Sequence, residues 1–235
     1  MVILQILNTQ LIMMGDIMND FEKALVSYIG EEKLRKIQSV KVGIAGAGGL
    51  GSNCAFNLVR SGFTHLLIVD FDRIEYTNLN RQFYFYHQVG RSKVEVLKDN
   101  LLLINPDLCI ETLTAKIERH NVENLFDDCD IVVEAFDQAI YKKLIVEAYM
   151  GSDQLLVAAS GLAGWGNSDA IKTHQVKKNF YIVGDLTSEA GEDLPPISPR
   201  VNIAAAKQAD VILEYVVNSG ELGAGSEEYK REQND

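Results

Sequence analysis

The chain has 235 residues, of which 47% are hydrophobic, so it can bury the core of one large α/β domain or two small ones. Its formal net charge of −11 at pH 7 argues against a nucleic-acid-binding surface, because phosphate contacts depend on clustered lysine and arginine. Three scattered cysteines, Cys54, Cys109 and Cys129, exclude a disulfide framework, and without a CxxC pair we expect no zinc. This cysteine usage is typical of the reducing cytoplasm.

The first 40 residues are predicted to form an N-terminal arm followed by helices. Residues 1–14 are apolar but too short to span a bilayer, and they lack a basic flank. We interpret them as an extra strand or packing arm, or as the product of an upstream start codon. Residues 19–38 show an amphipathic helical pattern that is broken at Gly30.

A glycine-rich turn follows a short apolar strand that begins at Lys41. Gly46, Gly48 and Gly51 have the spacing GxGxxG, which allows a tight turn, close approach of a phosphate, and close packing of helix on strand. The free N–H groups of the following helix form an anion site without any basic side chain. Alone, this spacing also fits an ordinary tight turn.

An unbroken apolar run at residues 65–70 predicts a second strand that is covered on both faces. It ends in Asp70, with Asp72 two positions later. Asp70 lies 19 residues after Gly51, where an acidic residue is expected to bind a ribose hydroxyl. To this point the sequence fits an NAD enzyme as well as an ATP enzyme.

A polar segment after the second strand separates these two possibilities. It carries Asn78, Arg81 and Gln82, and Lys93 follows at the start of another predicted helix. A dinucleotide-binding fold does not require cations here, although Arg81 taken alone is compatible with an ordinary surface residue.

The order and spacing of these motifs resemble the ThiF/MoeB/HesA-type adenylyltransferases, which are related to the ubiquitin-activating enzymes. GAGGLGS occupies residues 46–52, NLNRQ occupies 78–82 and GRSK occupies 90–93. The resemblance is strong over residues 40–140. It implies an α/β fold with a Rossmann-like, largely parallel sheet, helices on both faces, and antiparallel strands with a crossover loop in the second half. We therefore assign residues 41–218 to an ATP-binding adenylation domain.

A further strand at residues 130–135 delivers Asp137 to its carboxyl end. Ligands of open parallel sheets bind outside the carboxyl ends of strands, so Asp70, Asp72 and Asp137 are predicted to converge with the glycine turn on one crevice. In the resembling enzymes the acid at the position of Asp137 holds magnesium. The alternative is that Asp137 is the N-cap of the next helix.

The resemblance implies ATP and Mg²⁺ as cofactors, with Arg81, Lys93 and Asp137 as the catalytic residues. Arg81 and Lys93 would neutralise the phosphates, and Asp70 would bind the ribose. The implied nucleotide-binding set is Gly46, Gly48, Gly49, Gly51, Ser52, Asp70, Asp72, Asn78, Arg81, Gln82 and Lys93.

The second half is predicted to contain a hairpin, a long loop and a final helix. Residues 184–200 hold four acidic residues and three of the four prolines, and a loop of this length is usually functional. The helix at 198–217 is apolar on more than one side, which predicts burial in the core or in a dimer. Residues 219–235 are predicted to be a disordered tail.

By resemblance, the reaction is adenylation of the C-terminal glycine carboxylate of a small ubiquitin-like sulfur carrier protein, ThiS-like, in thiamine biosynthesis. A carboxylate is already ionised at neutral pH, so the enzyme needs no general base but must neutralise phosphates and align the reactants. The expected partners are this carrier, a separate sulfur donor and a second copy of the chain. Neither nucleic acid nor membrane is expected.

The sequence departs from its relatives in two respects. No R-Y-x-R-Q segment precedes Lys41, so Arg35 or Lys33 is a candidate to replace the arginine that a partner subunit supplies in some relatives. No cysteine follows Cys129, so the adenylate is predicted to be the last covalent state. Cys54 lies on the apolar stripe of the helix after the glycine turn and Cys109 lies within a strand, so both are expected to be small buried hydrophobic residues.

Three alternative functions remain open at this point. The first is an NAD-dependent oxidoreductase that uses the same glycine turn. The second is a family member that adenylates a tRNA nucleoside, and the third is a non-catalytic binding module.

Overall fold

A computed structural model of the protein describes residues 18–218. Two helices come first, α1 (Asp20–Ile29) and α2 (Glu31–Gln38), separated by Gly30 as predicted. Asn19 caps α1, because its side chain accepts a hydrogen bond from the Glu22 N–H at 2.9 Å and its own N–H donates to the Glu22 carboxylate. The predicted N-terminal arm and the predicted tail at 219–235 lie outside the described residues.

Seven strands of the described chain form one sheet in the order β3-β2-β1-β4-β5-β7-β6. All neighbouring strands are parallel except β6, which runs antiparallel to β7. The strand order reverses beside β1, and such a switch point opens a crevice at the carboxyl ends of the strands. The strands are β1 (Lys41–Ala45), β2 (His65–Val69), β3 (Cys109–Leu113), β4 (Ile131–Glu134), β5 (Leu155–Ala159), β6 (Lys172–Lys177) and β7 (Phe180–Gly184).

Helices cover both faces of this sheet, which confirms the predicted fold class. They are α3 (Gly49–Arg60), α4 (Lys93–Leu102), α5 (Ala139–Tyr149) and α6 (Ser198–Asn218). Side chains of α3, α4 and α6 fill the core on one face, and α5 packs on the other face. Because β1 and β4 are covered on both sides, they consist almost entirely of buried residues.

The strand register aligns the residues that continue into the crevice. Ala45, the last residue of β1, pairs with Val69 of β2 on one side and with Glu134 of β4 on the other. The glycine turn and Asp70 therefore leave the sheet at the same level as the end of β4.

The final helix, α6, is covered within its own chain. It packs mainly against α3 and also against β5. Its buried apolar residues include Val201, Ala205, Ala209, Ile212 and Val216. The core thus accounts for the two-sided apolar pattern, so this pattern gives no support to a dimer. None of the helices in residues 18–218 is long and apolar enough to cross a membrane.

Candidate active site

A cavity of about 540 Å³ lies at the carboxyl ends of β1, β2, β4 and β5. Residues from each of the motifs identified in the sequence line it. The predicted site residues on its wall are Gly46, Gly48, Gly49, Asp70, Asp72, Arg81, Gln82, Lys93 and Asp137. The structure thus brings together residues that are up to 91 positions apart in the sequence.

The three glycines of the turn have different roles. Gly46 has φ +104°, a conformation that side chains disfavour. A Cβ on Gly51 would lie 1.8 Å from the Gly46 carbonyl oxygen, so close packing of α3 on β1 requires this glycine. The nearest atom to a Cβ on Gly48 would be Gln82 Nε2, at 3.8 Å. Gly48 therefore leaves open space in the cavity, at the N-terminus of α3.

Ser52 and Asn78 hold the loops of the site in place. Ser52 Oγ donates to the Gly48 carbonyl at 2.6 Å and accepts from the Phe83 N–H at 3.0 Å. Asn78 Oδ1 accepts from the Glu75 N–H at 3.0 Å and so caps a single 3₁₀ turn. Neither these two residues nor Gly51 line the cavity, and direct contact between them and a nucleotide stays a prediction.

Asp70 connects the glycine turn to the end of β2. Its Oδ2 accepts from the Ala47 N–H at 2.7 Å, and its Oδ1 accepts from the Asp72 N–H at 2.8 Å. Burial raises the pKa of Asp70, whereas the Lys93 charge and these two N–H groups oppose the rise. A carboxylate has about four acceptor positions, so two remain for hydrogen bonds from a ligand.

Lys93 supplies a positive charge deep in the cavity. Its side chain is 7% exposed, and Nζ lies 2.8 Å from Asp72 Oδ2. The Asp72 side chain is 47% exposed, so the pair is accessible from the cavity. A bound phosphate would share Lys93 with Asp72, which orients the ammonium group.

Arg81 and Gln82 lie beside each other in the cavity wall. The Arg81 guanidinium donates to Asn80 Oδ1 at 2.8 Å and to the Thr77 carbonyl at 3.3 Å, without any acidic partner among residues 18–218. Gln82 is 8% exposed, and its Oε1 has no hydrogen-bond partner within the described chain. An unpaired buried acceptor is costly, so Gln82 is suited to accept a hydrogen bond from a ligand.

Asp137 lies exposed on the cavity rim, three residues after β4. The N-cap of α5 is Gln138, so the structure does not support the alternative that Asp137 caps this helix. Within residues 18–218 no group of three acidic, histidine or cysteine side chains could hold a metal ion. Nucleotide-bound Mg²⁺ usually takes only one or two protein carboxylates and completes its shell with phosphates and water. Asp137 fits that requirement.

An ion pair between Glu134 and Lys142 was not predicted from the sequence. Glu134 ends β4 and is 1% exposed, and Lys142 of α5 lines the cavity. Lys142 Nζ donates to Glu134 Oε1 at 3.1 Å and to Oε2 at 2.9 Å. The available signal was a charged residue within a buried apolar run, followed by a lysine eight positions later.

A second buried ion pair, between Arg200 and Asp185, was also missed. Arg200 of α6 donates to the Asp185 carboxylate and, at 3.0 Å, to the Gly166 carbonyl. Burial opposes ionisation of Asp185, but N–H groups of Ser188 and Thr187, the Ser188 hydroxyl and the Arg200 charge outweigh it and lower the pKa to about 2.

This ion pair anchors one end of the long loop that was predicted to be functional. At the other end of the loop, the Gly164 N–H donates to the Pro195 carbonyl at 3.0 Å. Between the two anchors, Ser188, Glu189 and Ala190 line the cavity.

The remaining predicted residues lie away from the cavity. Arg35 forms an exposed ion pair with Glu31, and Lys33 is exposed on the same helix. Replacement of a partner-subunit arginine by either of them stays a prediction.

The cysteines also lie outside the cavity wall. Burial raises the pKa of Cys54 and of Cys129 to about 12. Cys109 was expected to be buried, but it is exposed because it lies on the edge strand β3.

Comparison with known proteins gives a consistent result. Residues 22–223 match the family model described as the ThiF family. A tRNA threonylcarbamoyladenosine dehydratase of Bacillus subtilis (strain 168) is 32% identical over 154 residues, which cover 62% of this chain and 61% of that protein. The adenylyltransferase and sulfurtransferase MOCS3 of Culex quinquefasciatus is 32% identical over 139 residues, which cover 59% of this chain and 32% of that protein. The chain thus spans about three fifths and one third of these two relatives.

Solved structures with the same fold include the E. coli tRNA N6-threonylcarbamoyladenosine dehydratase TcdA in complex with AMP. Its TM-score is 0.76 at 18% identity, and the match covers 84% of this chain and 94% of that one. The ATP complex of the same protein gives a TM-score of 0.75 at 18% identity, covering 89% and 97%. At this level of identity the similarity establishes the fold alone.

Proposed function

This chain belongs to the ThiF family, and we propose that it transfers the adenylyl group of ATP to a carboxylate and releases pyrophosphate. The observation that carries the proposal is one cavity in which the N-terminus of α3, the cations Arg81 and Lys93 and the exposed carboxylate of Asp137 face the same space. An NAD-dependent oxidoreductase would need only the glycine turn and Asp70. Arg81, Lys93 and Asp137 favour ATP, as do the AMP and ATP bound to a protein of the same fold.

Each group has a defined task in the proposed reaction. The N–H groups of α3 and the charges of Lys93 and Arg81 would neutralise the phosphates, and Asp70 would accept hydrogen bonds from the ribose. Asp137 would hold magnesium, which supplies charge neutralisation at the phosphates when it is bound. The acceptor carboxylate needs no general base, so positioning and electrostatics account for the rate.

The acceptor proposed from the sequence is the C-terminal glycine of a small ubiquitin-like sulfur carrier. The loop that lines the cavity supports a protein acceptor, because between its two anchors it carries Glu189, Glu192 and Asp193 and no lysine or arginine. Such a rim repels a polyanion. Thiamine biosynthesis rests on the sequence resemblance alone, and neither curated relative described above carries that role in its name.

A tRNA nucleoside is the second candidate acceptor. It is favoured by the Bacillus subtilis relative and by the E. coli structure, both of which are named as dehydratases of a modified tRNA adenosine. The negatively charged tRNA would have to approach the cavity despite electrostatic repulsion from the acidic loop.

Pyrophosphate exchange into ATP tests the function and separates the two acceptors. The enzyme is incubated with labelled pyrophosphate, Mg·ATP and either a ubiquitin-like carrier that ends in Gly-Gly or bulk tRNA that contains the threonylcarbamoyl modification. We expect exchange that depends on one acceptor and is lost in Asp137→Asn. Tight binding of NAD without binding of ATP would overturn the adenylation proposal.

A further inference from the structure

The pairing of the parallel strands β4 and β5 ends shortly before the strands reach the cavity. The last paired residues are Val133 and Val157, one residue before the end of β4 and two before the end of β5. Three buried or half-buried polar residues, Glu134, Lys142 and Gln208, form hydrogen bonds at these strand ends, and we call them the interstrand clamp. Lys142 comes from α5 on one face of the sheet, and Gln208 comes from α6 on the other.

Lys142 joins the two strand ends. Its three ammonium hydrogens meet three acceptors, namely both oxygens of Glu134 and the carbonyl of Ala159, the latter at 2.8 Å. Glu134 is the last residue of β4 and Ala159 is the last residue of β5, so one side chain fixes their separation.

Glu134 also fixes the turn that follows β4. Its Oε1 accepts a hydrogen bond from the Phe136 N–H at 2.8 Å. Phe136 directly precedes Asp137, which has no hydrogen-bond partner within the described chain. The backbone of this turn therefore determines where the Asp137 side chain starts and which part of the cavity it can reach.

Gln208 completes the clamp from the opposite face. Its Nε2 donates to the carbonyls of Glu134 at 3.2 Å and of Val157 at 3.3 Å, so this side chain also contacts both strands. Gln208 is fully buried, so its amide has no alternative partner in solvent.

We infer that Glu134 and Lys142 are positioning residues for Asp137: their ion pair holds the turn that presents this carboxylate to nucleotide-bound magnesium. The inference rests on the proposed function. Removing Lys142 would leave a buried carboxylate without its counter-charge, and the turn would move to bring Glu134 towards water. Groups that orient a metal ligand typically change metal affinity by about 10- to 100-fold when they are removed.

Two variants of Lys142 separate positioning from general stability. Lys142→Met keeps the length of the side chain but removes the charge. Lys142→Arg keeps a charge with donors suited to a bidentate contact with Glu134.

Two other lysines provide matched controls. Lys143 follows on α5 with a 67% exposed side chain, so Lys143→Met removes only a surface charge. Lys41 is 18% exposed and pairs with Glu111 and Asp128 at the amino end of β1, away from the cavity. Lys41→Met therefore removes the ion pairs of another largely buried lysine at the opposite ends of the strands, where the carboxylate partners are exposed.

Calorimetric titration measures the dissociation constant of ATP with excess Mg²⁺ and with EDTA. The ratio of the constant in EDTA to the constant in Mg²⁺ is the factor by which the metal strengthens ATP binding, and we call it the metal-linked gain. We expect Lys142→Met to reduce this gain by about tenfold or more, as loss of a group that orients a metal ligand does. Lys142→Arg and both control variants should keep the wild-type gain, even though Lys41→Met lowers the melting temperature. The double variant Glu134→Gln with Lys142→Met leaves no unpaired buried charge, and it should fold and lose the gain.

Each contrary result has its own meaning. A folded Lys142→Met or double variant with the wild-type gain overturns the positioning inference, as does an equal loss in the Lys41→Met control. A wild-type protein that binds ATP equally well with and without Mg²⁺ also overturns it but leaves nucleotide binding intact. A wild-type protein that binds no ATP overturns the proposed function itself.

Discussion

The backbone at Gly51 approaches the Gly46 carbonyl so closely that a Cβ at position 51 would lie 1.8 Å from its oxygen. This oxygen belongs to the backbone, so it cannot turn away as the end of a flexible side chain would. The contact fixes the angle between β1 and α3, and thereby the direction in which the N-terminus of α3 faces the cavity.

Gly51→Ala should therefore destabilise the fold. Overpacking in a rigid core costs about 1–3 kcal/mol or more of the free energy of unfolding, which urea denaturation measures. Gly48→Ala is the matched control, because its new Cβ would have 3.8 Å of clearance. This control should keep its stability but bind ATP more weakly, since the methyl group occupies space meant for phosphate. A Gly51→Ala variant as stable as the wild type would contradict the packing argument.

Arg81→Ala and Asp137→Asn should each reduce acceptor-dependent pyrophosphate exchange by about a hundredfold or more, because one preorganised contact to the reacting phosphates contributes roughly 3–4 kcal/mol. Neither side chain belongs to the core, so the melting temperature should stay close to that of the wild type. Arg119→Ala, which removes an exposed arginine outside the cavity, is the control. Near-normal exchange in the Arg81 and Asp137 variants would show that these are surface residues.

The ion pair between Asp185 and Arg200 predicts a specific dependence of stability on pH. The pKa of Asp185 is lowered from 3.8 to about 2 in the folded protein. A lowered pKa of an acid means that its stabilisation is complete above the ordinary pKa and is lost as the pH falls towards 2. Asp185→Asn should be less stable than the wild type at pH 6, and the difference should shrink between pH values of about 4 and 2. Melting temperatures measured across this range test the prediction, and a difference that stays constant would refute it.

The cysteines are predicted to be dispensable for adenylation. Cys54 and Cys129 have raised pKa values in buried surroundings, and exposed Cys109 lies outside the cavity wall. A variant with all three changed to alanine or serine, provided that it folds, should form the adenylate at close to the wild-type rate. Mass spectrometry of enzyme, acceptor and ATP should show no thiol-sensitive covalent adduct. An adduct that disappears on replacing one cysteine would show that the reaction proceeds past the adenylate.

A symmetric homodimer stays a prediction, which rests on the apolar N-terminal arm and on the family resemblance because the core already accounts for the apolar final helix. The surface also carries large apolar residues such as Tyr28 and Leu103, each more than 80% exposed. Exposed apolar side chains of this kind are compatible with a surface that a second subunit covers. Light scattering at micromolar concentration should give about twice the chain mass of 26.1 kDa. A value near 26.1 kDa would count against the dimer.

The fold was predictable because its signals are local. Unbroken apolar runs such as that of β2 are typical of strands covered on both faces, and the glycine spacing marks the first turn. The motifs also predicted which residues meet, since the carboxyl ends of parallel strands share one edge. Asp72 shows the limit of this reasoning, because its partner Lys93 lies 21 positions away and only the folded chain brings them together.

The clamp could not be predicted because it depends on where β4 and β5 stop pairing. Glu134 lies in an apolar run, and nothing in the sequence shows that Lys142 reaches it from the adjacent helix. The exposure of Cys109 was mispredicted for a related reason. A strand pattern does not reveal which strand lies at the edge of the sheet.

The loop between Asp185 and Pro195 is attached to the rest of the chain independently of the motifs that handle phosphate. Its anchors bind Arg200 and Gly164, and neither of these residues belongs to the motifs that handle phosphate. Residues 189–194 can therefore change in charge or length without replacing the anchors or the motifs that handle phosphate. In the proposed reaction, a new acceptor requires a new loop and not a new catalyst, so exchanging residues 189–194 is a direct route to redesigning acceptor specificity.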